Sequence, residues 1–526
     1  MRYDTVIVGG GTSGCVVAAR LSENPERSVL LIEAGPVPRN PPETHNDAVN
    51  GTSLRAAHPS SPLTWHYPAR LTASRSAAVV RGKVLGGSSA INGGYFIRPR
   101  PEDFDHWASV GGSAWSYDHA LPLLRRLETD LDFAHHAQHG SSGPMLIRRP
   151  WTTDPTGGLD SVFATAAEAA GHPCSSDLNG TASFGFGSIP TTMVDGIRRS
   201  AAMQYLLPIL DRPNLKVLGK TRVLSVKINQ GRAVGVDCAN AAEGTSQFIP
   251  AGEVVLAAGA LSTPQLLMLS GAGDPDDLRA VGVRPAIDAP GVGRGLSDHP
   301  DITLNLEVSQ DALPAITRNH QPGPAFSTAL HFPAERTGTK NALELLITST
   351  PNHKLFGSEA PQHGTQEHLL MLGLMSPASR GSLRLRTADP FESPFIDYNY
   401  LDAAGDQTAL RAGLREILHL LTDSAMQEVF VSLPRLSGDM PNEEVLDDDD
   451  LLNRWISDHI GTRFHTSGGA RIGPVDDPES VVNQRGQVHQ VQCLRVADLS
   501  LLPSVPCRGT ANTSVFIGEL ISDFMT

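Results

Sequence analysis

The chain begins with a short apolar run, a cluster of glycines and a second apolar run, with a segment of mixed polarity between the glycines and the second run. Thr5 to Val8 is β-branched throughout, which predicts a buried parallel strand. The mixed segment predicts a helix, and Ser28 to Ile32 predicts a second buried strand. The residues Tyr3 to Gly35 therefore predict a strand, a turn, a helix and a strand in that order.

The glycines of this unit, Gly9, Gly11 and Gly14, have the GxGxxG spacing of a dinucleotide-binding turn. The first glycine permits a tight turn, the second lets a pyrophosphate approach the backbone, and the third lets the helix pack closely on the strand. The free N–H groups at the helix N-terminus favour an anion, so the turn needs no basic side chain. A dinucleotide site is therefore favoured over a glycine-rich surface turn.

An acidic residue ends the second predicted strand. Glu33 lies nineteen residues after Gly14, where a carboxylate can accept both ribose hydroxyls of an adenosine. Because the same carboxylate would repel a 2′-phosphate, the unit predicts NAD or FAD rather than NADP. The unit by itself leaves the choice between NAD and FAD open.

Three later stretches also have a readable pattern. The run from Arg81 to Asn92 contains a Gly-Gly-Ser-Ser turn, where backbone can approach a flat or anionic ligand. Val254 to Ala257 predicts a further buried strand that leads through small residues into a helix. The alternation from Ser382 to Arg386 predicts a half-buried strand.

Composition limits the classes of function. With 526 residues the chain is long enough for two or three domains, and 40% hydrophobic with 19% charged residues is typical of a globular protein. The net charge of −14, without an evident cluster of Lys and Arg, argues against a nucleic-acid partner. We interpret the acidic run Asp447 to Asp450 as a solvated helix start, since leucines flank it and no spaced set of calcium ligands accompanies it.

The cysteines and the N-terminal residues indicate in which cellular compartment the protein is expected. The chain has five cysteines and no CxxC pair, a set typical of free thiols in a reducing compartment. The first predicted strand leaves no room for a signal peptide, and no apolar stretch is long enough to span a bilayer. We expect a cytoplasmic protein with at most peripheral contact with the inner face of a membrane.

A group of three histidines, His135, His136 and His139, gives a weak metal signal. No Cys, Asp or second histidine group is matched to it at the spacing of a metal site. We therefore expect an exposed loop here and no metal.

Six segments carry a resemblance to a known family. They read RGKVLGGSSAINGGYFIRPRPEDFDHW, AWSYDHALPLL, EVVLAAGALSTPQLLMLSGAG, PGVGRGLSDHP, RFHTSGGARIG and LRVADLSLLPSVPCRGTANTSVFIGELISDF. Together they resemble the glucose-methanol-choline (GMC) oxidoreductases, FAD enzymes that mostly oxidise alcohols, and the resemblance covers nearly the whole chain. The resemblance implies an α/β fold, with a Rossmann-like FAD-binding domain interleaved with an α+β substrate domain built on a large antiparallel sheet. Leu369 to Leu401 resembles part of that sheet.

The resemblance also implies a discontinuous domain organisation. Residues 1–150, 211–300 and 455–526 would form the FAD-binding domain. Residues 151–210 and 301–454 would form the substrate-binding domain.

The implied catalytic residues lie near the C-terminus. His465 matches the active-site histidine of the family, and a neutral imidazole there can take the hydroxyl proton while flavin N5 takes the hydride. Asn512 is the candidate for the second active-site residue, although an ungapped match to the family would put Ala511 in that place. Asp298 and His299 are interpreted as structural.

The residues implied to bind FAD come from all the matching segments. They are Gly9, Gly11, Thr12, Ser13, Gly14, Glu33, Ala34, Arg81, Gly86, Gly87, Ser88, Asn92, Gly93, Val223, Ala258, Gly259, Asp498 and Leu499. Some relatives attach the flavin covalently to a histidine directly before the residue that matches Asn92. This chain has Ile91 there, so we expect non-covalent FAD.

The expected function is oxidation of a primary alcohol to the aldehyde by a dehydrogenase, with a quinone, a respiratory component or oxygen as the electron acceptor. The stretches TRVLSVK and LRRLETDLDF resemble members associated with mycofactocin, which would make mycofactocinol the substrate and respiration the acceptor. The alternatives are an oxygen-using alcohol oxidase and a non-redox lyase that keeps FAD. Light-driven decarboxylation ranks lower, because no cysteine lies between Cys238 and Cys493.

Overall fold

A computed structural model gives the fold. It describes residues 2–37, 51–152, 155, 157–180, 184–240, 244–317, 324–334, 343–358, 366–430, 441 and 443–526.

The first sheet, with seven strands among the described residues, contains the predicted opening unit. Five of its strands run parallel, in the spatial order Leu215–Leu218, Val29–Ile32, Tyr3–Val8, Thr245–Leu256 and Leu494–Val496. Its central strands are buried along almost their whole length, which explains their continuous apolar sequence.

The long strand Thr245–Leu256 belongs to both the parallel and the antiparallel part of this sheet. Its second half lies in the parallel part, while its first half pairs antiparallel with Arg232–Asn240, which in turn pairs with Thr221–Asn229. The helix Thr12–Leu21 follows the first strand as predicted. The Rossmann-like fold expected from Tyr3 to Gly35 is confirmed.

A six-stranded antiparallel sheet faces the first sheet across a cavity. In spatial order its strands are Gly461–Thr462, Pro300–Val308, Gln366–Leu374, Leu343–Thr348, Phe326–Phe332 and Gly185–Ser188. Alternate residues such as Leu346, Thr348, Leu369 and Met371 line the cavity, as the two-residue period of a strand requires. Helices Gly158–Ala169 and Ala404–Leu421 pack against the sheet. The large antiparallel sheet is therefore present.

The stretch Leu369 to Leu401 does not lie wholly in that sheet, so this part of the prediction is wrong. Its first strand does, but the alternating residues form the strand Gly381–Arg384 of a separate, mixed five-stranded sheet. In spatial order that sheet contains Arg294–Leu296, Gly381–Arg384, Phe395–Asp397, Thr64–Arg70 and Ser76–Gly82. The chain changes sheets because the residues between Leu374 and Gly381 turn away from the antiparallel layer.

The remaining elements are short strand pairs and helices. The strand pairs are Glu128–Asp130 with Met145–Ile147, Met193–Val194 with Ile197–Arg198, and Ala272–Gly273 with Ile287–Asp288. Further α-helices in the described part are Pro101–Gly111, Tyr117–Arg126, Ser262–Leu269, Pro275–Ala280, Leu313–Thr317, Asn352–Phe356, Ser424–Val429, Glu443–Asp447, Asp449–His459 and Ala511–Asp523. Single turns are Arg55–Ala57, Gly87–Ala90, Ser113–Trp115, Ala202–Leu206, Leu207–Ile209 and Leu499–Leu501.

The first and the last helices of the chain pack against each other. Ser13 Oγ donates to the carbonyl of Ser514 at 2.7 Å, and Arg20 forms an ion pair of 2.7 Å with the fully buried Glu519. Arg126 and Tyr205 also donate to the Glu519 carboxylate. The C-terminal helix is thus an integral part of the first layer.

The acidic run at Asp447 to Asp450 is a helix start, as predicted. Oδ1 of Asp448 accepts the N–H groups of Asp450 and Leu451 at 2.8 and 2.9 Å, which caps the helix Asp449–His459. The five cysteines are free. Among the described residues, none of the helices has the length and apolar character needed to cross a bilayer.

The prediction of an exposed histidine loop is wrong for His139, which is buried. Its Nδ1 lies 2.9 Å from Asp130 and 3.0 Å from Glu128, and its Nε2 lies 2.9 Å from Asp177. Burial lowers the pKa of His139, but these carboxylates outweigh burial and raise it to about 10. Arg149 binds Asp130 and Asp177 as well, so the group is a buried ion network of cations and carboxylates. His135 and His136 are exposed.

Candidate active site

Two glycine turns meet at the carboxyl ends of the parallel strands. A Cβ on Gly87, whose φ is +54°, would lie 2.7 Å from Cα of Gly11 in the first turn. Within the first turn, a Cβ on Gly14 would lie 2.0 Å from the carbonyl oxygen of Gly9. Glycine at these positions is therefore required for the turns and the helix to come together.

Gly11 differs from these glycines, because protein packing does not require it. A Cβ on Gly11 would have nothing nearer than the carbonyl oxygen of Ala257 at 3.8 Å, and Gly11 lines the cavity. Gly11 is also the N-cap of helix Thr12–Leu21, which has no side-chain cap. Uncapped N–H groups at an open cavity fit the pyrophosphate of a dinucleotide.

The Glu33 carboxylate lies beside the same turn and is held by backbone. Its Oε2 accepts the N–H of Gly10 at 2.8 Å, and its Oε1 accepts the N–H of Gly35 at 2.7 Å. Burial raises the pKa of Glu33 to about 7, although these two N–H groups oppose that shift. Each oxygen keeps a second lone pair, so the carboxylate could also accept ribose hydroxyls.

Asp498 joins two separate segments at the edge of the cavity. Its Oδ2 accepts the N–H of Gly259 at 2.8 Å and the hydroxyl of Thr263 at 2.6 Å. Its Oδ1 accepts the N–H and the hydroxyl of Ser500 at 2.9 and 2.6 Å. These bonds fix the small-residue turn after strand Thr245–Leu256 against the C-terminal segment.

His465 reaches the cavity from the edge of the six-stranded sheet. It follows the short strand Gly461–Thr462, and the intervening Phe464 has φ of +62°, an uncommon value for a bulky residue. This left-handed residue turns the half-buried His465 ring toward the cavity lining. Burial lowers the pKa of His465 well below its usual value, and His299 and Arg463 act in the same direction. The imidazole is therefore neutral at pH 7.

A second imidazole touches the first. His299 Nδ1 lies 2.8 Å from His465 Nδ1, and His299 Nε2 lies 2.9 Å from the carbonyl oxygen of Pro506. Burial lowers the pKa of the fully buried His299 to about 3. The preceding residue, Asp298, accepts the backbone N–H of His465. The sequence interpretation of this pair as structural did not anticipate the contact between the two rings.

Polar groups also line the cavity where the six-stranded sheet faces it. The Tyr95 hydroxyl donates to Glu344 at 3.1 Å, and Arg463 pairs with Glu344 and, at 2.7 Å, with Asp301. Burial raises the pKa of Glu344, but Arg463 and His331 outweigh it, so the carboxyl is ionised. Arg508 also acts on the Glu344 carboxyl, so cations and carboxylates lie together here and this wall of the cavity is polar.

The structure brings most of the predicted site residues to one cavity of about 680 Å³. His465 lines it, with the following predicted cofactor residues: Gly9, Gly11, Thr12, Ser13, Glu33, Ala34, Arg81, Gly87, Ser88, Asn92, Gly93, Val223, Ala258, Gly259, Asp498 and Leu499. Gly14 and Gly86 lie behind the lining, in the turns themselves. Phe356 and Phe464, which are 38% and 46% exposed, also line the cavity.

Asn512 is the predicted residue that the structure does not bring to the cavity. It is fully buried in the first turn of helix Ala511–Asp523, and the lining includes Gly509, Thr510 and Ala511 instead. A Cβ on Gly509 would lie 3.9 Å from Nε2 of His465. The position that faces the His465 ring is therefore Gly509, which carries no side chain.

The residues present fit FAD. The open space at Gly11, the uncapped helix N-terminus and the Glu33 carboxylate match a pyrophosphate and an adenosine ribose. The cavity continues from these groups to His465. Together they fit a dinucleotide-dependent oxidoreductase, with a neutral imidazole at the end of the cavity away from Glu33.

The chain belongs to the GMC oxidoreductase family. The N-terminal GMC oxidoreductase model matches residues 3–301, and the C-terminal model matches residues 377–518. GMC flavoenzymes bind FAD and act on alcohol-type substrates. The resemblance inferred from the sequence motifs is thus confirmed.

Individual relatives cover almost the full length of the chain. An uncharacterised GMC-type oxidoreductase in the thcA 5′ region of Rhodococcus erythropolis is 37% identical over 520 residues, 99% of this chain and 97% of the relative. The 5-(hydroxymethyl)furfural oxidase of Methylovorus sp. (strain MP688) is 34% identical over 548 residues, 99% and 98% of the two chains. The crystal structure of pyridoxine 4-oxidase from Mesorbium loti superimposes with a TM-score of 0.86 at 27% identity, over 99% of both chains.

Proposed function

We propose that the chain oxidises a primary alcohol to the aldehyde, with His465 as the general base and FAD as the hydride acceptor. The observation that carries the proposal is the neutral His465 imidazole on the lining of a cavity that also contains the FAD-binding groups. The names of the two relatives above, an oxidase of a hydroxymethyl compound and an oxidase of pyridoxine, support a small alcohol as the substrate.

His465 would take the hydroxyl proton of the alcohol on the ring edge that faces Gly509. General-base assistance of this kind typically contributes about 10²- to 10⁴-fold to the rate. FAD, when bound, would supply N5 as the acceptor of the hydride. The apolar residues Leu346, Leu369 and Met371 would exclude water from the reacting end. The Tyr95 hydroxyl, whose hydrogen is donated to Glu344, would accept a hydrogen bond from a polar substituent of the substrate.

The proposed FAD attachment is non-covalent. Ile91 lines the cavity, and its alkyl side chain has no atom that forms a bond to a flavin. Denaturation in acid should release all the flavin into the supernatant. Flavin that stays with the precipitated protein would contradict this part of the proposal.

The proposed domains are those expected from the sequence, with residues 1–150, 211–300 and 455–526 holding FAD and residues 151–210 and 301–454 covering the substrate.

The proposed electron acceptor is a quinone or another respiratory component, with mycofactocinol as one candidate alcohol. Oxygen is the second acceptor, which the name of the Methylovorus relative supports.

The test is anaerobic stopped-flow reduction of the flavin by a panel of primary alcohols that includes mycofactocinol. We expect bleaching of the oxidised flavin by at least one alcohol, and a loss of about 10²-fold or more in the reduction rate for His465→Ala at unchanged FAD content. His172→Ala is the control, because His172 pairs with Glu416 at 2.8 Å and does not line the cavity. Undiminished reduction by His465→Ala would refute the proposal. Reoxidation by oxygen or by a quinone then distinguishes the acceptors.

A further inference from the structure

The contact between His299 and His465 determines which nitrogen of each ring carries the proton. A carbonyl oxygen only accepts hydrogen bonds, so His299 Nε2, at 2.9 Å from the carbonyl of Pro506, must carry a hydrogen. His299 is neutral, because burial lowers its pKa to about 3. A neutral imidazole has one N–H, so Nδ1 of His299 has a free lone pair.

That lone pair fixes the tautomer of the second ring. His299 Nδ1 and His465 Nδ1 are 2.8 Å apart, which is a hydrogen bond only if one of them donates. Since His299 Nδ1 accepts, His465 Nδ1 must donate. Because His465 is also neutral, its Nε2 is left unprotonated, and this is the nitrogen on the side of Gly509 and the cavity.

We propose that His299 is a positioning residue that holds His465 in the Nδ1–H tautomer, so that the basic Nε2 faces the substrate. The proposal rests on the proposed alcohol oxidation. Without the acceptor at His299, the two tautomers of His465 would interconvert, and the Nε2–H form cannot take a proton from an alcohol. The bond also keeps an acceptor beside Nδ1–H when Nε2 takes the hydroxyl proton and the ring becomes a cation.

The charged groups around the two rings are consistent with this assignment. Arg463 and Arg81 oppose a positive charge on His465, whereas Glu344 favours one. For His299, Arg463 again opposes the charge and Glu344 favours it. Burial and the arginines keep both rings neutral, and the hydrogen bonds then determine which nitrogen of each ring carries the proton.

The experiment compares three variants of the FAD-loaded enzyme. His299→Leu removes the acceptor, whereas His299→Asn keeps one, because Oδ1 of asparagine lies as many bonds from the backbone as Nδ1 of histidine. His172→Leu is the control, because it removes a histidine that pairs with Glu416 and does not line the cavity. We expect flavin reduction by the alcohol to slow about 10- to 100-fold in His299→Leu, by analogy with the loss of a hydrogen-bond partner that orients a metal-bound histidine. His299→Asn should restore most of that loss, and FAD content should stay equal in all three.

A second measurement determines the tautomer of His465 in the absence of substrate. In ¹⁵N-histidine-labelled holoenzyme, the His465 signals, assigned by their loss in His465→Gln, should show a protonated Nδ1 and an unprotonated Nε2. In His299→Leu the Nε2–H tautomer should become visible. A protonated Nε2 in the wild-type enzyme, or a His299→Leu rate equal to that of the wild type, would overturn the proposal.

The two proposals fail in different ways. If His465→Ala reduces its flavin as fast as the wild type, the proposed function fails. If His465→Ala is inactive while His299→Leu has the wild-type rate and the same His465 tautomer, only the role of His299 fails.

Discussion

Asp298 Oδ1 accepts the backbone N–H of His465 at 2.6 Å, so the two adjacent residues Asp298 and His299 hold the backbone and the ring of the same histidine. The other oxygen of Asp298 accepts the hydroxyls of Thr462 and Tyr400 at 2.5 and 2.7 Å. One buried carboxylate thus fixes the turn that presents His465.

We predict that Asp298→Asn lowers the free energy of unfolding by about 1–3 kcal/mol, because an amide replaces one acceptor oxygen with a donor and leaves a buried partner unsatisfied. The rate of flavin reduction should fall as well, since the backbone of His465 loses its anchor. Urea unfolding and stopped-flow reduction measure the two effects. The exposed Asp288→Asn serves as the control, and equal stability of the two variants would contradict the prediction.

Glu33→Ala should weaken FAD binding. The substitution removes the acceptor for the N–H groups of Gly10 and Gly35 and, as proposed, for the ribose. Losing a hydrogen bond to a charged group costs about 1.5–3 kcal/mol, so the Kd for FAD should rise at least about 10-fold. Titration of the cofactor-free protein by flavin fluorescence measures it, with the exposed Glu26→Ala expected to match the wild type.

The pH dependence of FAD binding should also report on Glu33. Burial raises its pKa to about 7, above the ordinary value of about 4.3. The carboxylate, which we propose to accept ribose hydroxyls, therefore gains a proton as the pH falls through about 7. We expect the Kd for FAD to rise from pH 8 to pH 6 in the wild type, with a smaller change in Glu33→Gln.

Gly509→Val should block the reacting end of the cavity. The new Cβ would lie 3.9 Å from Nε2 of His465, where the alcohol oxygen must sit as proposed. We expect kcat/KM for alcohols to fall about 10-fold or more, because a misplaced substrate loses the general base. FAD content should be unchanged. Gly405→Val is the matched control, since Gly405 faces open space, and a Gly509→Val enzyme as active as that control would refute the prediction.

His139 should make stability depend on pH. Its pKa is raised to about 10 by the surrounding carboxylates, against an ordinary value of about 6.5 in the unfolded chain. The stabilisation is therefore fully present below about pH 6.5 and is lost as the pH rises through about 10. The stability difference between the wild type and His139→Gln should shrink from pH 6 to pH 10 in urea unfolding. A constant difference would contradict the ion network, and the exposed His119→Gln should unfold like the wild type throughout.

The predictions that hold are those carried by local sequence. The strand, turn and helix of Tyr3 to Gly35 depend on residues close in the chain, so pattern and glycine spacing suffice. The helix start at Asp448 is predictable for the same reason. The position of His465 on the cavity lining also follows from a motif of consecutive residues, whereas its catalytic role stays a prediction.

The predictions that fail depend on partners far away in the chain. His299 is 166 residues from His465, and the sequence carries no periodic signal for that approach. His139 is buried because Asp177 and Arg149 fold over it, whereas its own neighbours are those of an exposed loop. The strand pattern at Ser382 to Arg386 is correct in type, but the sheet that this strand joins also contains the distant strands Arg294–Leu296 and Thr64–Arg70.

The packing of the first helix on the last has a consequence for biosynthesis. A ribosome completes strand Tyr3–Val8 and helix Thr12–Leu21 long before it makes strand Leu494–Val496 and helix Ala511–Asp523. Until then one edge of the parallel sheet is unpaired, and Glu519 is not there to neutralise Arg20. Such long-range contacts form late in folding. The lining of the cavity is therefore complete only once the segment from Asp498 to Ser514 has been made.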